Sequence, residues 1–258
     1  MKIAIAQFAK LEQKIFNKYL NNVFKNQKIS MLLIGDYVCN AFFKEYKNEK
    51  EKNTFENTIS YLKSIALKYK TTLIAPVIEY KNNKFYKSIL KANEEGAILF
   101  RIPNLMQMEH WNERKFFSNK NFSNKAKEGN LIFELEEFKI AILSGWESHF
   151  NANWENLKNN DVDVVVVPTA STFNSNERWA RLLQTQSFLG NCFVVRVNRV
   201  GKYEENGINW EFYGNSFIAL PNGNLGDILG AQEGILISEL DRDLIDESIK
   251  NWGFRKGN

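Results

Sequence analysis

Cysteine and histidine are scarce in this chain, which has only two of each among its 258 residues. Cys39 and Cys192 lie far apart and form no CxxC pair, which argues against a disulfide framework and against a zinc site of clustered thiolates. Two histidines are too few for a typical metal cage. We therefore predict that the protein uses no metal and no cofactor, and that it works in a reducing cytoplasm.

Long hydrophobic runs are also absent. The opening segment "MKIAIAQFAKLEQK" turns polar after a short apolar run, which is too short for the hydrophobic region of a signal peptide. No other run approaches the ~18 apolar residues that a membrane-spanning helix needs. We therefore expect a soluble protein that is not exported and has no membrane partner.

Neither sign of charge dominates the sequence. Its 34 basic and 30 acidic residues leave a formal net charge of +4, spread along the chain. No signature of a nucleic-acid-binding fold accompanies the basic clusters, so we predict no nucleic-acid partner.

Short apolar runs alternate with amphipathic segments along the whole chain. From Leu11 to Phe24 apolar residues recur at four-residue steps, which is typical of an amphipathic helix. The valine run in "DVDVVVVPTA" indicates a strand covered on both faces. No low-complexity linker divides the chain. The pattern predicts one α/β domain spanning residues 1–258, with two mixed sheets and helices outside them.

Five motifs follow one another along the chain: "MKIAIAQF", "FKIAILSGWESHF", "VDVVVVPTAST", "RWARLLQTQSFLGNCFVVRVNRVG" and "FYGNSFIALPNG". In this order, with "WGFR" near the end, they make the chain resemble the carbon–nitrogen hydrolase (nitrilase) superfamily over nearly its whole length. The resemblance implies a four-layer α-β-β-α sandwich that usually forms dimers.

The resemblance also implies a chemistry. A cysteine attacks an amide or nitrile carbon, a glutamate transfers the proton, and a lysine stabilises the oxyanion. At the matching positions this chain has Gly145 for the cysteine, Asp36 for the glutamate and Ile102 for the lysine. Gly145 cannot attack and Ile102 cannot donate. Asp36 is one methylene shorter than glutamate, which moves the carboxylate by ~1 Å, a misplacement that can cost a hundredfold in rate.

Further residues are assigned to the cleft by the same resemblance. Either Glu109 or Glu113 fills the position of a second glutamate that helps to hold the lysine, and the sequence does not choose between them. Ser144, Trp146 and Thr169 are candidate binding residues. Glu147 is either a polar group of the pocket or a buried acid bonded to backbone amides at the turn.

Two functions from different classes stay open. The first is a homologue that has lost hydrolysis and serves as a scaffold for a small amide-like ligand or a protein partner. The second is a working amidohydrolase with an unconventional centre built from Asp36, Ser144 and Glu113.

A homodimer is predicted as well. The segment around Trp154 and the helix that carries Trp179, Leu182, Leu183 and Phe188 hold more large apolar groups than one sheet face needs, and soluble monomers seldom expose large apolar patches.

Overall fold

The computed structural model describes residues 1–40, 49–119, 130–205 and 207–255. Within them the strands are β1 (Lys2–Gln7), β2 (Met31–Ile34), β3 (Thr72–Lys81), β4 (Lys84–Asn93), β5 (Gly96–Arg101), β6 (Leu131–Leu135), β7 (Phe138–Ile142), β8 (Val164–Thr169), β9 (Phe193–Asn198), β10 (Val200–Glu205), β11 (Ile208–Tyr213), β12 (Ser216–Ala219), β13 (Leu225–Leu229) and β14 (Gly234–Glu239). The α-helices are α1 (Gln13–Phe24), α2 (Glu49–Tyr69), α3 (Asn151–Asn159), α4 (Asn176–Gly190) and α5 (Arg242–Trp252).

Two six-stranded mixed sheets form the centre of the fold, in the orders β14-β1-β2-β3-β4-β5 and β13-β12-β9-β8-β7-β6. β1, β2 and β3 run parallel in the first sheet, and β7, β8 and β9 run parallel in the second. β10 and β11 form a separate hairpin. The two mixed sheets with outer helices that the sequence predicted are confirmed.

Alternate side chains of the central strands pack into different layers. Ile3 and Ile5 lie in the core between the sheets, whereas Ala4 and Ala6 face α1 and α2. The valines of β8 divide in the same way between the intersheet core and the core under α3 and α4. Strands covered on both faces read as continuous apolar runs, which explains the valine run. The layers are therefore α-β-β-α, as predicted.

Parallel strands of both sheets end at one edge of the sandwich, where ligands bind in many open α/β sheets. Asp36 follows β2, Gly145 follows β7, and Thr169 is the last residue of β8. The backbone N–H of Asp36 donates to the carbonyl of Thr169 at 3.3 Å and joins the two sheets there.

The apolar residues that were expected at a dimer interface are buried or partly buried within the chain itself. Trp154 is only 8% exposed, because it packs in the core between the second sheet and the outer helices. Trp179 is partly buried and lines a cavity. Large apolar groups that stay exposed include Leu189, on the same helix α4, and Trp252 of α5. None of the helices in the described residues combines the length and apolarity needed to cross a membrane.

Candidate active site

A cavity of about 720 Å³ opens at the edge where the two sheets meet. Most of the candidate residues line this cavity, together with several aromatic side chains. Its lining includes Asp36, Tyr37, Lys87, Ile102, Trp111, Glu113, Ser144, Gly145, Trp146, Thr169, Ser175, Arg178, Trp179 and Trp210. Glu109 and Glu147 are outside this lining.

An ion triad lies in the cavity wall. The Lys87 ammonium donates to Asp36 Oδ2 at 2.6 Å and to Glu113 Oε1 at 2.6 Å. The three side chains are 5%, 13% and 2% exposed, respectively. A buried charge that loses its partner is strongly destabilising, so the three groups depend on one another.

Tyr37 touches all three members of the triad. Its backbone N–H donates to Asp36 Oδ1 at 3.0 Å, and its hydroxyl donates to Glu113 Oε1 at 2.7 Å. The Lys87 ammonium lies 4.5 Å from the centre of its ring, within the range of a cation–π contact. Tyr37 has a left-handed backbone with φ of 55°, which is rare for a bulky residue. It therefore fixes the geometry of the triad at a cost in backbone strain.

Burial and charge act in opposite directions on the triad. Burial alone would lower the pKa of Lys87, but the charges of Asp36 and Glu113 outweigh it and raise that pKa above its ordinary value. Burial raises the pKa of Asp36, although Lys87 opposes the shift. Lys87 is consequently an ammonium at neutral pH and a hydrogen-bond donor, not a nucleophile.

The sequence has Ile102 at the lysine position, where its side chain cannot donate, but the structure brings a lysine, Lys87, into the cavity. Ile102 does line the cavity, and its backbone N–H, directly after β5, donates to the carbonyl of Lys87 on β4 at 3.0 Å, so the two residues are neighbours. Ile89 of β4 packs between the sheets, and side chains two residues apart share a face. Lys87 therefore projects into the same space from β4. A lysine at an inward position of a predicted strand was the signal that sequence reasoning missed.

Gly145 stands at the turn after β7, where the resemblance expects the nucleophile. A Cβ atom on Gly145 would lie 2.9 Å from Thr169 Cγ2 and 3.2 Å from the Pro168 carbonyl oxygen. The hydroxyl of Thr169 donates to Asn198 Oδ1 at 2.9 Å, which fixes its methyl group against Gly145. The Cβ atom of any side chain at position 145 would therefore be too close to the methyl group of Thr169. No nucleophile exists at this residue.

Ser144 and Glu147 form a pair beside Gly145. The Ser144 hydroxyl donates to Glu147 Oε2 at 2.8 Å, and the Ser144 backbone N–H donates to the same oxygen at 3.3 Å. Asn104 Nδ2 donates to Glu147 Oε1 at 3.2 Å. Burial raises the pKa of Glu147 to about 7, although these hydrogen bonds oppose the shift. Of the two readings for Glu147, the geometry matches the buried acid bonded at the turn.

The two glutamates that the sequence could not separate lie in different surroundings. Glu113 is buried, bonds Lys87 and Tyr37, and accepts from the backbone N–H of Met106 at 2.9 Å. Glu109 is exposed. Across the described residues, no group of three or more His, Cys, Asp or Glu side chains could hold a metal ion.

Comparisons with known proteins bear on the family and on the fold. A family model described as carbon-nitrogen hydrolase matches residues 33–250. The N-carbamoylputrescine amidase of Solanum lycopersicum is 25% identical over 237 residues, covering 87% of this chain and 78% of that protein. A carbon–nitrogen hydrolase from Helicobacter pylori G27 has a TM-score of 0.84 at 18% identity, covering 100% of this chain and 95% of that one. An amidase from Nesterenkonia sp. AN1, to whose active-site cysteine acrylamide has added, has a TM-score of 0.76 at 17% identity, covering 98% and 99%. The two structural likenesses bear on the fold.

Proposed function

Because the chain belongs to the carbon–nitrogen hydrolase family, as its five motifs predicted, we propose that it binds a small amide-like compound without hydrolysing it. The observation that carries this proposal is Gly145, whose Cβ position is closed by the methyl of Thr169. A family chemistry that forms a covalent intermediate cannot begin without a nucleophile. Loss of a nucleophile typically leaves only the small acceleration that binding and oxyanion contacts provide.

Recognition of an amide does not require the missing cysteine. Carboxylates accept hydrogen bonds and an ammonium donates them, so Asp36, Glu113 and Lys87 carry groups that suit an amide nitrogen and an amide oxygen. Their mutual bonds hold them in place before a ligand arrives, which reduces the ordering cost of binding. The retained ion triad therefore supports a binding role.

Ammonia release tests the absence of hydrolysis. We expect no turnover above background with simple amides, simple nitriles or N-carbamoylputrescine, which the name of a relative suggests as a substrate. The same compounds are screened for binding through tryptophan fluorescence. Turnover that disappears in Asp36→Asn or Ser144→Ala would overturn the proposal.

Ser144 supports the second candidate function, an active amidohydrolase. Its hydroxyl faces the carboxylate of Glu147, and a serine nucleophile needs such an adjacent base. The centre predicted from the sequence combines Ser144 with Asp36 and Glu113, but both carboxylates are bonded to Lys87. Glu147 is thus the better base for this alternative, and Ser144→Ala in the ammonia assay separates the two functions.

We also propose that the protein forms a homodimer in the cytoplasm. Leu189 is 45% exposed and Trp252 is 55% exposed, and a partner chain on the outer face of α4 would cover such groups. Light scattering at micromolar concentration is expected to give twice the chain mass of 30.0 kDa. A monomer in that measurement, or a dimer unaffected by Leu189→Asp, would contradict this arrangement.

A further inference from the structure

Arg196 is a buried cation without a carboxylate partner among the described residues. It lies on β9 and is 0% exposed. Its guanidinium donates to the Tyr213 hydroxyl at 2.9 Å and to the Asn215 carbonyl at 3.2 Å, while its Nε has no hydrogen-bond partner. Burial lowers the pKa of Arg196 to about 10, so the group stays charged at neutral pH. An uncompensated buried charge is costly, and a nearby anion would offset that cost.

Two contacts connect Arg196 to the cavity. Its guanidinium carbon lies 5.2 Å from the ring centre of Trp179, which lines the cavity. The Tyr213 hydroxyl accepts from Arg196, so its own proton is directed to Ser175 Oγ, 2.9 Å away. Ser175 also lines the cavity and donates its proton to the Thr172 carbonyl at 2.9 Å. The positive charge thus lies directly behind the part of the wall formed by Ser175 and Trp179.

The start of α4 adds positive potential to the same wall. Ser175 is the N-cap residue, and its side chain makes no capping bond to the helix. The N-terminus of a helix carries a partial positive charge. Arg178, in the first turn, lines the cavity and is exposed at its mouth. Three sources of positive potential therefore meet here: Arg178, the helix terminus and Arg196.

The charges on the other wall do not cancel this field. Asp36 and Glu113 are the acidic residues of the lining, and both are bonded to Lys87. In the lining, Lys87 and Arg178 balance Asp36 and Glu113. Behind the lining, Arg196 adds a cation on the α4 side and Glu147 lies beside Ser144. Glu177 in the first turn of α4 pairs with Arg181. The cavity is consequently polarised, because both lining carboxylates are bonded to Lys87 and the positive charge of Arg178 lies on the α4 side.

We propose that the amide ligand of this cavity also carries a carboxylate, which binds to Arg178 at the start of α4, beside Ser175 and with Arg196 behind them. This inference rests on the proposed ligand-binding function. The planar guanidinium of Arg178 matches a carboxylate with two parallel hydrogen bonds. The amide end of the ligand would then face Asp36, Lys87 and Glu113.

A pair of matched probes tests the carboxylate site. Succinamate and succinamide are similar in size and shape, but only succinamate carries a negative charge. Four of the six tryptophans line the cavity, so intrinsic fluorescence reports binding, and calorimetry gives the dissociation constants. Hydrogen bonds to charged groups contribute enough for succinamate to bind about tenfold or more tightly than succinamide.

Two arginines of one helix provide the variant and its control. Arg178→Gln is expected to abolish the preference for succinamate over succinamide. Arg181→Gln is the control, because Arg181 is exposed on α4, pairs with Glu177 and does not line the cavity. It should keep the full preference. Tyr213→Phe, which removes the hydroxyl between Arg196 and Ser175, should weaken succinamate binding in part.

The possible failures are distinguishable. Equal affinity for the two probes would overturn the carboxylate site and leave amide binding standing. A preference that survives Arg178→Gln would also overturn it, and so would failure of both probes to bind. Hydrolysis of succinamate by the wild type would instead overturn the non-hydrolytic function, while an Arg178-dependent preference would keep the carboxylate site.

Discussion

Gly145→Cys alone is expected to leave amide hydrolysis at background, whereas Gly145→Cys with Thr169→Ser and Asp36→Glu should raise it by on the order of a hundredfold or more. The physical reason is the contact at 2.9 Å between the Cβ position of residue 145 and Thr169 Cγ2. Thr169→Ser removes that methyl and keeps the hydroxyl that bonds Asn198. Asp36→Glu restores the longer carboxylate. Ammonia release and the mass of an acylated protein measure the gain.

Comparing Gly145→Cys with Asp36→Glu against the triple variant isolates the methyl group of Thr169. Thr169→Ser alone should bind ligands like the wild type and hydrolyse nothing. Ile102→Lys is unnecessary because Lys87 already supplies the ammonium, and a second buried ammonium would lack a partner. If Gly145→Cys alone hydrolyses amides as well as the triple variant, the steric role given to Thr169 is wrong.

Lys87→Met is expected to lower the free energy of unfolding by about 3–5 kcal/mol, because it leaves the carboxylates of Asp36 and Glu113 buried without a cation. That is a large part of the ~5–15 kcal/mol that stabilises a typical domain. Urea unfolding at pH 7 measures the loss. Lys84→Met is the matched control, because Lys84 lies on the same strand and is exposed, so its loss should be within about 0.5 kcal/mol.

The pH dependence of the Lys87→Met protein provides a second readout. Without Lys87, the charge that opposes the effect of burial on Asp36 is lost, so the folded-state pKa of Asp36 rises further and the folded state binds more protons than the unfolded state. Stability then increases as the pH falls toward the unfolded pKa values. The deficit against the wild type should therefore shrink in acid. Asp36→Asn with Glu113→Gln in the Lys87→Met background should recover most of it, and a pH-independent deficit would contradict the charge argument.

The fold was predictable because it follows from short stretches of sequence and from the order of those stretches along the chain. β8 was recognised from its valines, which must be apolar on both faces because each face is covered. The order of five motifs then indicated the four layers. The run of valines and the order of the motifs can both be read from a single sequence.

The candidate site was only partly predictable because it depends on contacts across strands. The motif placed the lysine position at Ile102, whereas the lysine that lines the cavity is Lys87 on β4, and strand register is not visible in a motif. The closure of position 145 depends in the same way on Thr169 at the end of β8. Arg196 lies within an apolar strand, and its connection to the cavity runs through Tyr213 and Ser175.

A single-turnover experiment tests the absence of hydrolysis most directly. The wild-type protein is held in excess over N-carbamoylputrescine, and separately over succinamate, and the mixture is analysed for ammonia, intact amide and protein mass. Because Gly145 supplies no nucleophile, the amide should be recovered intact and the chain should keep its unmodified mass. Ammonia in an amount equal to the bound amide, or an acyl adduct on the chain, would contradict the proposed function.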